Sequence, residues 1–113
     1  MRTIVVGAGD VGYDVARMLS LQGHDVTVID PDPAKVEHVQ ETLDVMVIQG
    51  SGTSVETLKQ ARILDADLLV AVTDVDEVNI IASMLAERVG KSAEDTITIA
   101  RVRSGEFTGA DAV

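Results

Sequence analysis

Cysteine is absent from the 113-residue chain. That excludes a disulfide framework, a thiolate metal site, an iron–sulfur cluster and a thiol nucleophile. No apolar run approaches the ~20 residues that a membrane-spanning helix needs. The longest are Ile4 to Val6 and Leu68 to Val72. The N-terminus runs straight into an apolar strand and has no small-residue cleavage site of the kind that ends a signal peptide. Internal repeats and low-complexity segments are missing as well. Basic residues are scarce: nine Lys and Arg against nineteen Asp and Glu, a formal net charge of −10. A field of that sign repels phosphate backbones and anionic lipid, which argues against a nucleic-acid or membrane-surface partner. The acids are scattered, so they form a solvating surface rather than a tail.

What is present is a core. Apolar residues make up 46% of the chain. A domain of this length buries roughly 65% of its unfolded surface, enough for one domain without metal or disulfide staples.

Short apolar runs alternate with stretches of helical period along the whole chain. Thr3 to Val6, Val26 to Ile29, Val45 to Ile48, Leu68 to Val72 and Ile97 to Ala100 read as strands. Between the first two, Val11, Val15, Met18 and Leu19 recur at helical spacing, and Gly23 closes that helix. Asp32 with Pro33 starts the next, with Val36, Val39 and Leu43 on its apolar face. Thr53 with Glu56, and Asp74 with Glu77, read as capping boxes for two further helices. The last of these carries Val78, Ile81, Ala82, Leu85, Ala86 and Val89 and ends at Gly90. Strands apolar on both sides and linked by helices make a parallel sheet covered on two faces. Right-handed crossovers then leave the doubly wound α/β sheet, Rossmann-like, in the order 3-2-1-4-5. A dinucleotide-binding fold usually has a sixth strand. None is readable, so residues 1–103 are expected to form the domain, and 104–113 a polar tail or the start of a crossover that stops short.

Gly7-Ala8-Gly9-Asp10-Val11-Gly12 carries the clearest chemical signal. It fits GxGxxG and lies between a strand and a helix, the context in which that pattern is informative. The first glycine permits the tight turn, the second lets a pyrophosphate approach the backbone, and the third lets helix and strand pack closely. The helix N-terminus supplies unpaired N–H groups and partial positive charge to the diphosphate. Asp10 within the loop should face solvent or a partner. Asp30 ends the second strand, eighteen residues after Gly12. The fingerprint places an acid about 20 residues on, where it accepts from the ribose hydroxyls. No Arg follows it, and a carboxylate there repels a 2′-phosphate. The expectation is NAD(H) or an adenine nucleotide rather than NADP(H).

Other strand ends converge on the same crevice. Gly50-Ser51-Gly52-Thr53 is a small polar loop suited to the edge of an adenine, and Thr73 falls beside a ribose. Arg101 is a fork-shaped donor for phosphate, with Arg103 the alternative. His24 in a turn and His38 on a helix have no nucleophile or substrate pocket near them in the pattern, so no catalytic residue is assigned. Asp74, Asp76 and Glu77 are accounted for by capping and the helix dipole rather than by a metal, so no metal site is expected either. A dehydrogenase also needs a substrate domain, for which there is no room.

These residues together resemble a known family. Ile4 to Gly12, Gly23 to Asp30, Gly50 to Thr53, Leu58 to Asp67, Ala71 to Thr73 with Asp76, Glu77 and Asn79, and Ile99 to Val102 are similar to the N-terminal nucleotide-binding domain of the TrkA-type potassium-transport regulators, the RCK or KTN domain. The resemblance implies regulation rather than catalysis. It implies NAD(H) or ATP/ADP in the cleft, homodimers that assemble into rings, and a membrane potassium transporter or channel subunit as partner. The protein would then be cytoplasmic and peripheral to the inner face of the membrane. By the same resemblance, Gly7, Gly9 and Gly12 hold phosphate, Asp30 ribose, and Ser51 and Thr53 adenine or its ribose. Thr73 lies beside the ligand, and Arg101 holds phosphate. The rival reading is a small NAD-dependent oxidoreductase completed by a partner chain.

Overall fold

A computed structural model describes residues 1–90 and 95–105. Its strands are β1 (Arg2–Val6), β2 (Asp25–Asp30), β3 (Met46–Gln49), β4 (Leu68–Ala71) and β5 (Ile97–Ala100). The α-helices are α1 (Asp10–Leu21), α2 (Pro33–Thr42), α3 (Val55–Gln60) and α4 (Asp76–Val89), with a single 3₁₀ turn at Ile63–Asp65. The five strands form one sheet in the order β3-β2-β1-β4-β5, and every pairing is parallel. This is the doubly wound topology that the alternating pattern predicts. Residues 106–113, most of the anticipated polar tail, lie outside the described residues.

The pleat sorts each strand's side chains onto two faces. Ile4 and Val6 of β1 join Ile29, Leu69 and Ala71 in a core with Leu58 of α3 and Ala82 and Ala86 of α4. Val5 points the other way and joins Val26, Val28 and Val70, with Ala16 of α1 and Val39 of α2. Ile4 is 2% exposed and Val5 0%. Each such side chain contributes roughly 1.5–3 kcal/mol of hydrophobic stabilisation. Because β1 sits in the middle and is buried on both sides, its C-terminal end is a fixed platform for the loop that follows.

The helix ends follow the sequence with two corrections. Asp32 caps α2 as expected, its Oδ1 accepting from Ala34 N at 2.9 Å. The α3 cap, however, is Ser54 rather than Thr53, with Ser54 Oγ accepting from Thr57 N at 3.3 Å. The Thr53 hydroxyl is instead 2.7 Å from Ser51 Oγ, inside the loop. The second capping box also fails. The N-cap of α4 is Val75, with no side-chain cap. Thr73 Oγ1 takes the Val75 N–H at 3.2 Å, which leaves Asp74 to turn toward Arg101.

Candidate functional site

The strand ends meet on one edge of the sheet. Gly7 leaves β1 with φ +107°, a conformation that a β-carbon disfavours, and its N–H donates to Ile29 O at 2.8 Å. A β-carbon on Gly12 would lie 1.8 Å from Gly7 O, so α1 rests directly on the loop backbone. A β-carbon on Gly9 would meet nothing within 4 Å. The open side of the loop is therefore at Gly9, and the first-turn N–H groups of α1 have no acceptor within the helix. This is the shape that a phosphate group requires: close approach to backbone, with donors aimed outward.

Asp30 is buried, 6% exposed. Its Oδ2 accepts from Ala8 N and its Oδ1 from Asp32 N, both at 2.8 Å. The carboxylate thus ties the glycine loop to the end of β2. Each oxygen keeps a lone pair for a further donor, so the geometry suits two ribose hydroxyls as well. Ala8 has its N–H taken by this contact and offers none to a ligand.

A cavity of about 210 Å³ lies between these groups, lined among others by Gly7, Gly9, Asp10, Val11, Asp30, Thr73 and Arg101. A second compartment of about 330 Å³ shares Asp30, Lys35, Thr73 and Asp74 with it and extends to Ser51, Gly52 and Val78. Together they form one cleft, polar at the glycine loop and more apolar at its far end. Gly50 and Thr53 are not among the residues that line it. Gly50 N donates to Asp30 O at 3.1 Å, and a β-carbon on Gly50 would lie 2.8 Å from Thr57 Oγ1. Asp10 is exposed at the mouth, as anticipated.

Sequence reasoning gave no role to Asn79, and the structure gives it a central one. Asn79 is fully buried. Its Oδ1 accepts from Thr73 N at 2.9 Å and from Thr73 Oγ1 at 2.7 Å. Its Nδ2 donates to Thr73 O at 3.0 Å and to Arg101 O at 2.9 Å. One side chain therefore stitches the end of β4 to the end of β5 and fixes the wall opposite the glycine loop. Arg101 itself reaches Asp74 Oδ1 at 3.9 Å. Beside it, Asp76 accepts from the backbone of Arg103 at 3.1 Å and of Ser104 at 2.8 Å. Those two N–H groups, the Arg103 one first, hold the Asp76 carboxyl below its ordinary value of 3.8, and the charges of Arg103 and Arg101 add to the effect. Arg103 also donates from its guanidinium to Asp74 O. It therefore belongs to this strap rather than to the cleft lining.

The histidines stand apart from the cleft. His24 Nδ1 lies 3.3 Å from the N-terminal amine. His38 stacks on Tyr13, ring centroids 5.1 Å apart, in an outer groove between α1 and α2. Among the described residues no group of three or more His, Asp or Glu is placed to hold a metal ion, and no helix is long and apolar enough to cross a membrane.

Known proteins share this framework. The chain is 47% identical over 111 residues to a Trk system potassium uptake protein trkA homolog of Methanosarcina mazei, covering 95% of this chain and 26% of the relative. It is 40% identical over 108 residues to the Trk system potassium uptake protein TrkA of Haemophilus influenzae, covering 95% and 23%. The chain thus spans about a quarter of the length of these relatives. Among solved structures, the Kef C-terminal domain of Shewanella denitrificans in its AMP-bound form matches with a TM-score of 0.77 at 25% identity, covering 92% of this chain and 60% of that one. The GsuK channel bound to NAD shares the fold with a TM-score of 0.70 at 19% identity, covering 80% and 16%. The TrkA-N domain of the inner membrane protein ybaL of Escherichia coli does so at 0.78 and 22%, covering 93% and 75%. The TrkA-N domain model matches residues 3–110, and with the glycine loop, the strand order and these relatives in agreement, the chain belongs to the TrkA-N domain family.

Proposed function

We propose that this domain is a nucleotide-sensing regulatory module of a potassium transport system. It binds NAD(H) or ATP/ADP in the cleft and passes the bound state to a membrane transporter or channel subunit. The observation that carries the reading is the pairing of Gly9, open to the cleft, with Asp30, whose carboxylate lies beside the loop through Ala8 N. That pair matches the two ends of an adenosine diphosphate: the diphosphate on the helix N-terminus, the ribose hydroxyls on the acid. When bound, the nucleotide supplies charge and a bridge between strand ends. The chain's part is to hold it. Ser51 and Gly52 flank the adenine end, while Thr73 and Arg101 close the opposite wall.

A ligand shifts a conformational equilibrium only by its difference in affinity between two states. Arg101 and the glycine loop sit on different strand ends, and Asn79 locks Arg101 to Thr73. A nucleotide bridging them would set the angle at which one subunit meets the next in a dimer or a larger ring. The proposed location is the cytoplasmic face of the membrane, reached through the transporter. The test is mass spectrometry of whatever co-purifies, followed by calorimetry with NAD⁺, NADH, ADP and ATP. Heat with at least one supports the reading, and none at millimolar dose overturns it. Replacing Arg101 by Ala should abolish a ligand-dependent change in small-angle scattering; an unchanged response would remove Arg101 from the mechanism.

A further inference from the structure

The cleft contains a cation that motif reading passes over. Lys35 is the third residue of α2. Val36 and Val39 of that helix face the sheet, at 8% and 0% exposure. Lys35 is therefore turned about 100° away from Val36, and its side chain borders both compartments of the cleft together with Asp30. It also borders the outer groove beside Asp10. The glycine loop is thus approached by Arg101 from just past the end of β5 and by Lys35 from α2.

Three features set Lys35 apart from an ordinary solvated lysine. First, its position opposes its own helix. A cation in the first turn meets the positive end of the macrodipole, so α2 gains nothing from it. Second, its ammonium forms no ion pair or hydrogen bond among the described residues. Arg101, by contrast, has Asp74. Third, the phosphate end of the cleft presents Asp10, Asp30 and Asp74, in a chain of net charge −10. An anionic ligand entering there meets three carboxylates, and Arg101 is already engaged by one of them. An unpaired ammonium at the opposite rim offsets that repulsion.

We propose that Lys35 is a phosphate-reading residue of this cleft, closing on the ligand's diphosphate from the side opposite Arg101. The proposal rests on the nucleotide-binding reading above and adds a specificity determinant to it. Lys35 favours phosphorylated adenosine over the bare nucleoside.

The experiment is calorimetric titration of ADP, NAD⁺ and adenosine into the wild-type chain and into Lys35→Ala and Lys35→Arg, with Lys59→Ala on α3, which does not line the cleft, as a control for lost charge. Lys35→Ala should weaken ADP and NAD⁺ by about fivefold or more and leave adenosine within about twofold, the effect of one partly screened charge. It should also flatten the salt dependence of ADP binding, and Lys35→Arg should restore most of the loss. Unchanged ADP affinity in Lys35→Ala, a parallel loss for adenosine and ADP, or an equal loss in Lys59→Ala would overturn the assignment. A wild-type chain that binds none of the three would instead overturn the nucleotide reading itself. Lys35 is exposed, so the variants should melt with the wild type, and matched melting curves tie any loss to the ligand.

Discussion

The Asp30 carboxylate accepts the Ala8 N–H at 2.8 Å, joining the end of β2 to the loop that leaves β1. The same group is therefore both a brace of the glycine loop and the candidate ribose acceptor. Replacing Asp30 by Ala leaves the buried amide of Ala8 and the part-buried amide of Asp32 without their acceptor. The chain should lose about 2–3 kcal/mol of stability in chemical unfolding. Nucleotide affinity should fall at least tenfold, the effect of losing about 1.4 kcal/mol or more of binding. Wild-type affinity in calorimetry would show that Asp30 serves the fold alone.

The glycines of the loop should separate cleanly under substitution. Gly12→Ala forces a β-carbon to within 1.8 Å of Gly7 O. It should cost about 3 kcal/mol or prevent folding, because backbone cannot give way there as a side chain would. Gly9→Ala meets nothing within 4 Å. It should melt close to the wild type while losing nucleotide binding, since the new methyl fills the approach to the backbone. Thermal melts read beside calorimetry distinguish the two outcomes.

Asn79→Ala removes four hydrogen bonds that join Thr73 to Arg101. Leaving buried donors and acceptors unpaired should cost about 3 kcal/mol. Hydrogen exchange should show the extra opening at Thr73 and Arg101 rather than in β1 or β2. Uniform loss of protection would mean that Asn79 only fills space.

Asp76 gives a pH signature. Its carboxyl is held below the ordinary value of 3.8 in the folded chain, chiefly by the Arg103 and then the Ser104 N–H. A depressed folded value contributes stability that is fully present above the unfolded value and lost as pH falls through the folded one. Acid unfolding curves should therefore steepen below about pH 4, at the unfolded carboxylate's range. Asp76→Asn should lack that portion of the curve. Superimposable curves would discount the strap.

The net charge of −10 should make the chain more stable in salt, because screening shortens the reach of self-repulsion. Unfolding midpoints measured from low to molar potassium chloride should rise.

The sheet order and the glycine loop were legible because their signals are local: β-branched runs, glycines at fixed offsets, an acid at the next strand end. The helix starts were less so, because adjacent hydroxyls compete for the same cap. Thr53 and Ser54 differ only in which one the loop already uses, and Asp74 is drawn off by a cation 27 residues away in sequence. Asn79 could have been found. It precedes Ala82 by three and Ser83 by four, which places a polar group on the buried stripe of α4, where it needs partners. Spacing sets Lys35 off the apolar stripe of Val36 and Val39 but not where it ends up, since its place beside the cleft depends on where α2 lies over the sheet.

The seat of α1 on the Gly7 carbonyl has a lasting effect on recognition. With no slack between helix and turn, the amide array is cast before any guest arrives, and docking demands little remoulding on that side. Whatever movement an arriving molecule provokes must be taken up across the gap, where long charged side chains rather than main chain form the rim.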